Sequence, residues 1–412
     1  MYDVIIAGAG PAGAVTAYEL SRRGLKTLLL EKARLPRDKP CGGAVMYRGI
    51  RTLGGHLPMR IVQRPIRGMS FCFSQGGTAT FVSEKLLGVT VDRSVFDEFL
   101  AHRAADAGAE LVEAARVTSA RRTNEFAEVM VSGDATFQGR VLVGADGVNS
   151  VVSRSLGLRP QRKDLHRHGL GMESDIYLGE DRVVEVCNGR PDVLHILPTE
   201  GRMSYGWVFP KRDHLAVGIA GPGVMMHPLR PVFDAFVRSL EKRFGVSMSV
   251  QFRRTGLLGA DGIKGQNVDD RVILVGDAAG FVDPLMGEGI AYAMRSGQHA
   301  ATVLIEALET DHLDREHLSA YQRLCVNDFG ANFSMASWAG LHSGRFAVSL
   351  LTNASKLSFS SRILSGLARG EMGYSDIPAV IVRQLPRELP AILNQLAHIG
   401  KVHSTSVSQA VK

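Results

Sequence analysis

The sequence predicts an α/β fold in which a helix-flanked, mostly parallel sheet is interrupted by an antiparallel one and followed by helices. Three observations predict it. The first is the N-terminal run Val4-Ile5-Ile6-Ala7, which stops at a Gly-x-Gly-x-x-Gly turn, Gly8 to Gly13, ahead of a helical stretch from Ala14 to Arg23. The second is Val272-Ile273-Leu274-Val275, an apolar run without alternation, as a strand buried on both faces requires, ending in Gly276-Asp277. The third is the set of short alternating runs between them, at hairpin spacing.

Composition bounds the reading. A chain of 412 residues can hold two or three cores that share an interface. Its 45% hydrophobic and 22% charged residues and its 45 glycines fit a globular enzyme rather than a disordered or fibrous chain. The net charge of +7 is modest, and apart from groups such as Arg159–Arg167 the basic residues are scattered, so nucleic-acid binding is not indicated. The four cysteines, Cys41, Cys72, Cys187 and Cys325, form no Cys-x-x-Cys pair, so no disulfide scaffold and no metal site is expected. A strand that starts at Tyr2 leaves no room for a signal peptide, and no uncharged apolar run reaches the ~18 residues of a membrane span. A cytoplasmic protein is expected, attached to a membrane only at its surface if at all.

Taken in order, Gly8 makes the tight turn, Gly10 lets the backbone approach a pyrophosphate, and Gly13 lets helix and strand pack closely. Pro11 and Ala12 open the helix whose N-terminus faces the anion. A second strand, Thr27 to Leu30, ends on Glu31, about 20 residues on, where a carboxylate accepts from a ribose 2′-hydroxyl. The stretch Glu31 to Gly55, rich in Gly, Pro and basic residues, holds Lys39-Pro40-Cys41-Gly42-Gly43, a backbone suited to passing tightly over a ligand. Strands follow at Met69–Phe73 and Thr78–Val82, with Gly76-Gly77 as the turn. A helix spans Asp92 to Gly108, with Ser94 as its cap and Phe96, Phe99, Leu100 and Ala104 on one face. Leu111–Val117, Ala127–Val131 and Gly139–Ala145 read as strands, the last running into Asp146-Gly147. Arg182–Cys187, Val193–Leu197, Ser204–Phe209 and Leu215–Ala220 read as four more. A helix from Leu229 to Phe244 and a strand near Val250–Arg254 complete the second region. A long helix runs from about Ile290 to Leu308, and another from Leu318 to Phe333, with a polar tail after His403.

The chemistry sits at the ends of these elements. Asp277 falls at the carboxyl end of a parallel strand, where open α/β sheets bind ligands; a plain helix-capping role is the alternative. Gly287-Glu288-Gly289-Ile290 aims backbone N–H groups and a helix N-terminus at one point, which stabilises negative charge there. Two coordinated glycine-rich stretches favour a flavin dinucleotide over a capping Asp. Cys41, between proline and two glycines, is better placed against a ligand than in a core. Tyr205, Trp207 and Phe209 alternate along one strand and share a face, which serves either as ordinary core or as the wall of an apolar tunnel.

These motifs resemble the para-hydroxybenzoate hydroxylase-like flavoproteins and, within them, the geranylgeranyl reductase family. Gly8–Gly13 with Glu31, Asp146-Gly147, and Gly276-Asp277 with Gly287–Ile290 are similar to the three flavin motifs of the group. Asp92-Arg93-Ser94-Val95-Phe96-Asp97 resembles its Asp-Arg-x-x-Phe-Asp segment. Lys39–Gly43 is similar to the reductases' Lys-x-Cys-Gly segment, and Tyr205–Pro210 to their Tyr-x-Trp-x-Phe-Pro segment.

The resemblance implies a Rossmann-type FAD-binding domain (1–67, 92–165 and 255–308), an inserted antiparallel-sheet substrate domain (68–91 and 166–254) and a helical C-terminal region (309–412). It places Gly8, Gly10, Pro11, Ala12, Gly13, Glu31, Gly42, Arg93, Val117, Asp146, Asp277, Gly287, Gly289 and Ile290 at FAD, and Cys41, Tyr205 and Trp207 at the reaction. The implied activity is hydrogenation of C=C bonds in an isoprenoid, geranylgeranyl-type chain by hydride transfer from reduced flavin. Cys41, or water held by Tyr205, supplies the proton. With one dinucleotide fingerprint, an external donor is needed: NAD(P)H or a reduced ferredoxin-like protein. An aromatic monooxygenase or halogenase of the same fold is the alternative; halogenases carry Trp-x-Trp-x-Ile-Pro where this chain has Tyr205–Pro210. A lipid substrate implies access from a bilayer. The pattern Leu385, Leu389, Ile392, Leu393, Leu396 with Arg383, Arg387 and Lys401 suits an interfacial face, although packing on the protein body is the preferred reading.

Overall fold

The computed structural model describes residues 1–72, 77–159, 168–199, 204–226, 228–342, 360–384 and 386. An eight-stranded sheet forms the first layer. Its main path runs Val268–Asp269, Val272–Leu274, Thr136–Gly144, Tyr2–Ala7, Thr27–Leu30 and Glu110–Val112. The four inner strands are parallel, with Ile6 opposite both Val143 and Leu29. Val117–Arg122 and Ala127–Val131 extend the sheet antiparallel from Thr136–Gly144.

The central strands are buried on both faces, which explains their unbroken apolar runs. The helix Pro11–Ser21 packs on one face against Ile290–Thr310, backbone to backbone. A Cβ on Gly297 would stand 2.5 Å from the Ala12 carbonyl oxygen, and Thr16 Oγ1 donates to Ala12 O at 2.8 Å and Gly297 O at 3.3 Å.

The second layer is a seven-stranded sheet in the order Arg254–Gly259, His168–Tyr177, His214–Pro222, Tyr205–Pro210, Val193–Pro198, Gly68–Cys72 and Thr78–Val82. The helix Leu229–Phe244 covers one face through Phe233, Phe236, Val237 and Leu240, which join Ile176, Val208 and Val217 in one core. The opposite face turns toward the segment Cys41–Gly43. A three-stranded sheet, Ala44–Met46, Gly88–Val91 and Val62–Ile66, lies outside both larger sheets.

Several elements differ from the sequence reading. Arg182–Cys187 is a helix, Glu180–Val186: Val183, Val186 and Cys187 are buried at i, i+3, i+4 spacing, and Glu180 and Asp181 complement its first turn. The strand expected near Val250–Arg254 instead spans Arg254–Gly259, paired antiparallel with His168–Tyr177 from His168↔Gly259 to Glu173↔Arg254. His168–Tyr177 itself went unread; it lies second from the sheet's edge, is buried over Gly171–Ser174 and does not alternate there. Leu111–Val117 divides into Glu110–Val112 and Val117–Arg122, with Ala114 at φ +54° between them.

Asp92, not Ser94, precedes the helix Arg93–Asp106, and it makes no side-chain cap bond. Its carboxylate accepts from Gln63 Nε2 at 2.7 Å instead. The helix expected over Leu318–Phe333 starts at Arg315, breaks at Ser319 and passes through a π turn at Val326–Gly330. Gly76 in the expected hairpin turn, the tail after His403 and the amphipathic C-terminal pattern, Arg383 excepted, lie outside the described residues. No helix among the described residues is long and apolar enough to cross a membrane. None of their His, Cys, Asp and Glu side chains form a group of three or more arranged to hold a metal.

Candidate active site

The dinucleotide turn is built from backbone. Gly8 sits at φ +106°, where an L side chain is strained, and a Cβ there would lie 2.5 Å from the Ala145 carbonyl oxygen. A Cβ on Gly13 would overlap the Gly8 carbonyl oxygen. Gly10 precedes the helix and Pro11 is its first residue; the first turn carries no acidic residue, so its N–H groups and positive pole face an anion unopposed.

Glu31, 2% exposed, accepts from Ala9 N–H at 3.1 Å and Ala33 N–H at 3.2 Å. Val117 starts the strand two residues beyond Ala115, whose N–H bonds the Glu31 carbonyl. Asp146 divides its carboxylate: Oδ2 accepts from Val151 and Val152 N–H at 2.6 and 3.1 Å, whereas buried Oδ1 has no hydrogen-bond partner. Burial pushes this carboxyl above the usual range.

The second half of the site joins segments far apart in sequence. A Cβ on Gly42 would lie 2.6 Å from the Phe209 ring and 2.7 Å from Trp207 Nε1, so the backbone at Gly42 lies against the aromatic face. The rings of Tyr205, Trp207 and Phe209 follow one another at 6.2 Å centroid spacing. On the reverse side, Gly206 lies beneath Phe236, so the strand's two faces serve different neighbours. Trp207 Nε1 is a buried donor with no hydrogen-bond partner.

Tyr205 Oη donates to the Met286 carbonyl at 3.1 Å and stands against Gly287. Burial, with Asp283 and Cys41 nearby, pushes this phenol up. Gly289 precedes the helix Ile290–Thr310, again with no acidic residue in the first turn, and a Cβ on Gly289 would lie 3.5 Å from Asp277 Oδ1. Asp277 meets Lys39 Nζ at 3.5 Å, and its short helix Gly276–Ala279 has no side-chain cap bond, so the capping alternative is not realised.

Arg93 links the halves. It pairs with Asp97 through Nε (2.9 Å) and a terminal nitrogen (2.8 Å), and its charge acts on nearby Cys41, whose Sγ accepts from Gly43 N–H at 3.4 Å. Burial opposes charge on both partners, yet Arg93 is raised and Asp97 lowered, because each holds the other ionised and Arg37 adds to the field on Asp97. Arg37 stands 3.0 Å from Asp97 Oδ2 and 3.1 Å from Glu31 Oε1, with a terminal nitrogen 3.8 Å from a Cβ on Gly10. Sequence reasoning missed Arg37, Lys211 and Glu173. Lys211 bonds the Val91 carbonyl; Glu173 Oε1 accepts from Cys41 N–H at 2.7 Å. The sequence signal was charge within a strand for Glu173 and just past a strand's end for Lys211; Arg37 lies in the loop after Thr27–Leu30 and carried none.

The geometry fits a flavin dinucleotide. Two helix N-termini without acidic residues, the buried unpartnered Asp146 Oδ1 and the glycine cradle at Gly10 suit its phosphates and hydroxyls. Comparisons with known proteins agree. Residues 1–327 match the FAD binding domain family. A digeranylgeranylglycerophospholipid reductase of Methanococcus vannielii is 31% identical over 336 residues, covering 78% of this chain and 81% of that protein. A Dictyostelium discoideum protein named conditioned medium factor receptor 1 is 31% identical over 385 residues, 86% of this chain and 73% of its own. The solved structure of a geranylgeranyl bacteriochlorophyll reductase-like protein from Thermoplasma acidophilum superposes with a TM-score of 0.76 at 22% identity, covering 93% of this chain and 98% of the other. The chain belongs to the FAD binding domain family and, within it, to the geranylgeranyl reductases; it is an FAD-dependent oxidoreductase.

Proposed function

We propose that the protein hydrogenates C=C bonds of an isoprenoid, geranylgeranyl-type chain carried by a lipid. The observation that carries this reading is the convergence of a half-buried cysteine, an aromatic wall and a flavin-side loop: Gly42 on Trp207 and Phe209, and Tyr205 on Gly287. Gly8–Gly13, Glu31, Asp146, Asp277 and Gly287–Ile290 would hold FAD, which when reduced would supply the hydride. The chain's own residues do the rest. Met46, Met69, Leu194, Ile196, Phe209 and Met286 form an apolar cluster beside the site, which suits a hydrocarbon and excludes water.

Cys41 Sγ, which accepts from Gly43 N–H at 3.4 Å and lies near Arg93, gives the proton to the second alkene carbon. Tyr205 positions the Met286–Gly287 loop, because its own proton is engaged by a backbone carbonyl. An alkene is a weak base, so alignment contributes more than acidity. Reduction of the flavin falls to an external donor, NAD(P)H or a reduced ferredoxin-like protein, and the lipid is taken from a membrane surface.

The test is anaerobic. Dithionite-reduced enzyme is expected to be reoxidised by geranylgeranyl-bearing phospholipid or diphosphate, with product mass rising by two hydrogens per bond. Substrate-stimulated, oxygen-dependent product hydroxylation or halogenation, without reoxidation by the isoprenoid, would establish the monooxygenase or halogenase alternative instead.

A further inference from the structure

We propose that Glu173 is a positioning residue: its carboxylate, backed by Arg254, fixes the backbone of Cys41 and so the aim of the Cys41 thiol. This rests on the reading of Cys41 as the proton donor. Glu173 lies on the strand His168–Tyr177 of the second layer, 132 residues from the segment it holds. Its Oε1 accepts from Cys41 N–H at 2.7 Å, a short charge-assisted bond reaching from the sheet to the Cys41 loop. Arg254 Nε stands 3.1 Å from the same oxygen. The other oxygen, Oε2, is buried and has no hydrogen-bond partner, so the hold on Cys41 and the pairing with Arg254 both run through Oε1. An acid 2% exposed in a strand core is costly, and the backbone group it holds is Cys41 N–H.

The groups around Glu173 come from four elements. Arg254, on the neighbouring strand, favours its charge, as do the Cys41 N–H and Lys211, while Asp175 on its own strand opposes it. Arg254 is itself shared with Asp175 at 2.5 Å and Asp38 at 2.8 Å. Burial outweighs these neighbours and pushes Glu173 up to about 7. Above that pH the carboxylate is charged and holds Cys41 N–H strongly; below it the neutral acid holds it weakly.

The experiment uses the FAD-loaded enzyme with ¹⁵N-labelled cysteine. The chain's four cysteines give four amide signals, and that of Cys41 is identified by its loss in Cys41→Ser. Its amide is expected to titrate with a midpoint near 7, to lose that titration in Glu173→Gln, and to shift the midpoint upward in Arg254→Gln, which removes a countercharge. In parallel, Glu173→Gln is expected to lower kcat about tenfold with KM unchanged and to flatten the acid limb of its pH profile. A Cys41 amide signal left at the wild-type position in Glu173→Gln, or a Glu173→Gln enzyme with the wild-type kcat, overturns the proposal. If Glu173→Gln fails to hold FAD, the midpoint in Arg254→Gln decides. The amide titration needs no isoprenoid, so a wild type that titrates but never turns over the isoprenoid defeats the proposed function and not the hydrogen bond.

Discussion

The two ends of the site are made of different materials. The dinucleotide end, Gly8–Gly13 with Glu31, is one continuous stretch in which backbone and missing side chains set the geometry. The reaction end joins four segments, Cys41–Gly43, Glu173, Tyr205–Phe209 and Gly287–Gly289, and side chains set its geometry. The first tolerates almost no added atom; the second depends on which partners meet. Damage to the first should therefore abolish the holoenzyme, and damage to the second should leave FAD bound while chemistry slows.

Gly13→Val tests the first half of that contrast and should have the largest effect. Its added atoms collide with the Gly8 carbonyl, a rigid backbone group, rather than with a side chain that can turn away. Purified protein is expected without flavin absorbance. Stoichiometric FAD in this variant would break the comparison.

Asp97→Asn strikes the link between the ends. Asp97 is fully buried between Arg93 and Arg37, and removing one partner of a buried ion pair costs about 3–5 kcal/mol. The loss should appear in chemical denaturation of the holoenzyme. A change below about 1 kcal/mol would mean that the arginines find other counterions.

Cys41→Ala probes the reaction end alone. Loss of a positioned general acid lowers rates by about 10²-fold or more, equivalent to roughly 2.7 kcal/mol of barrier. Anaerobic reoxidation by substrate should slow by that factor with FAD affinity unchanged. Full activity would remove Cys41 from the proton path.

The same contrast explains what could be read from sequence. The Gly8–Gly13 turn, the strand Val272–Leu274 and the helix Leu229–Phe244 are local: backbone conformation, burial on both faces or a 3.6-residue period writes each into consecutive residues. The shared face of Tyr205, Trp207 and Phe209 was legible for the same reason. Glu173 and Arg37 were not, because their partners lie 132 residues away in one case and on two different elements in the other. Helix Glu180–Val186 was misread because two adjacent valines favour a strand, while packing of Val183, Val186 and Cys187 decides otherwise.

Tyr205→Phe should have the smallest effect and sharpens the comparison most. The phenol touches both ends of the reaction site, lying beside Trp207 and against Gly287. If it serves only to position the loop, its removal loses one hydrogen bond to the Met286 carbonyl, about 1 kcal/mol. The ring remains to fill the wall, so substrate-driven reoxidation should fall no more than about fivefold, with a slightly lower melting temperature. Burial raises this phenol's pKa, so it keeps its proton through neutral pH, and the bond to a carbonyl engages that proton. A loss approaching that of Cys41→Ala, at unchanged melting temperature, would place Tyr205 on the proton path and make the reaction end a two-donor site.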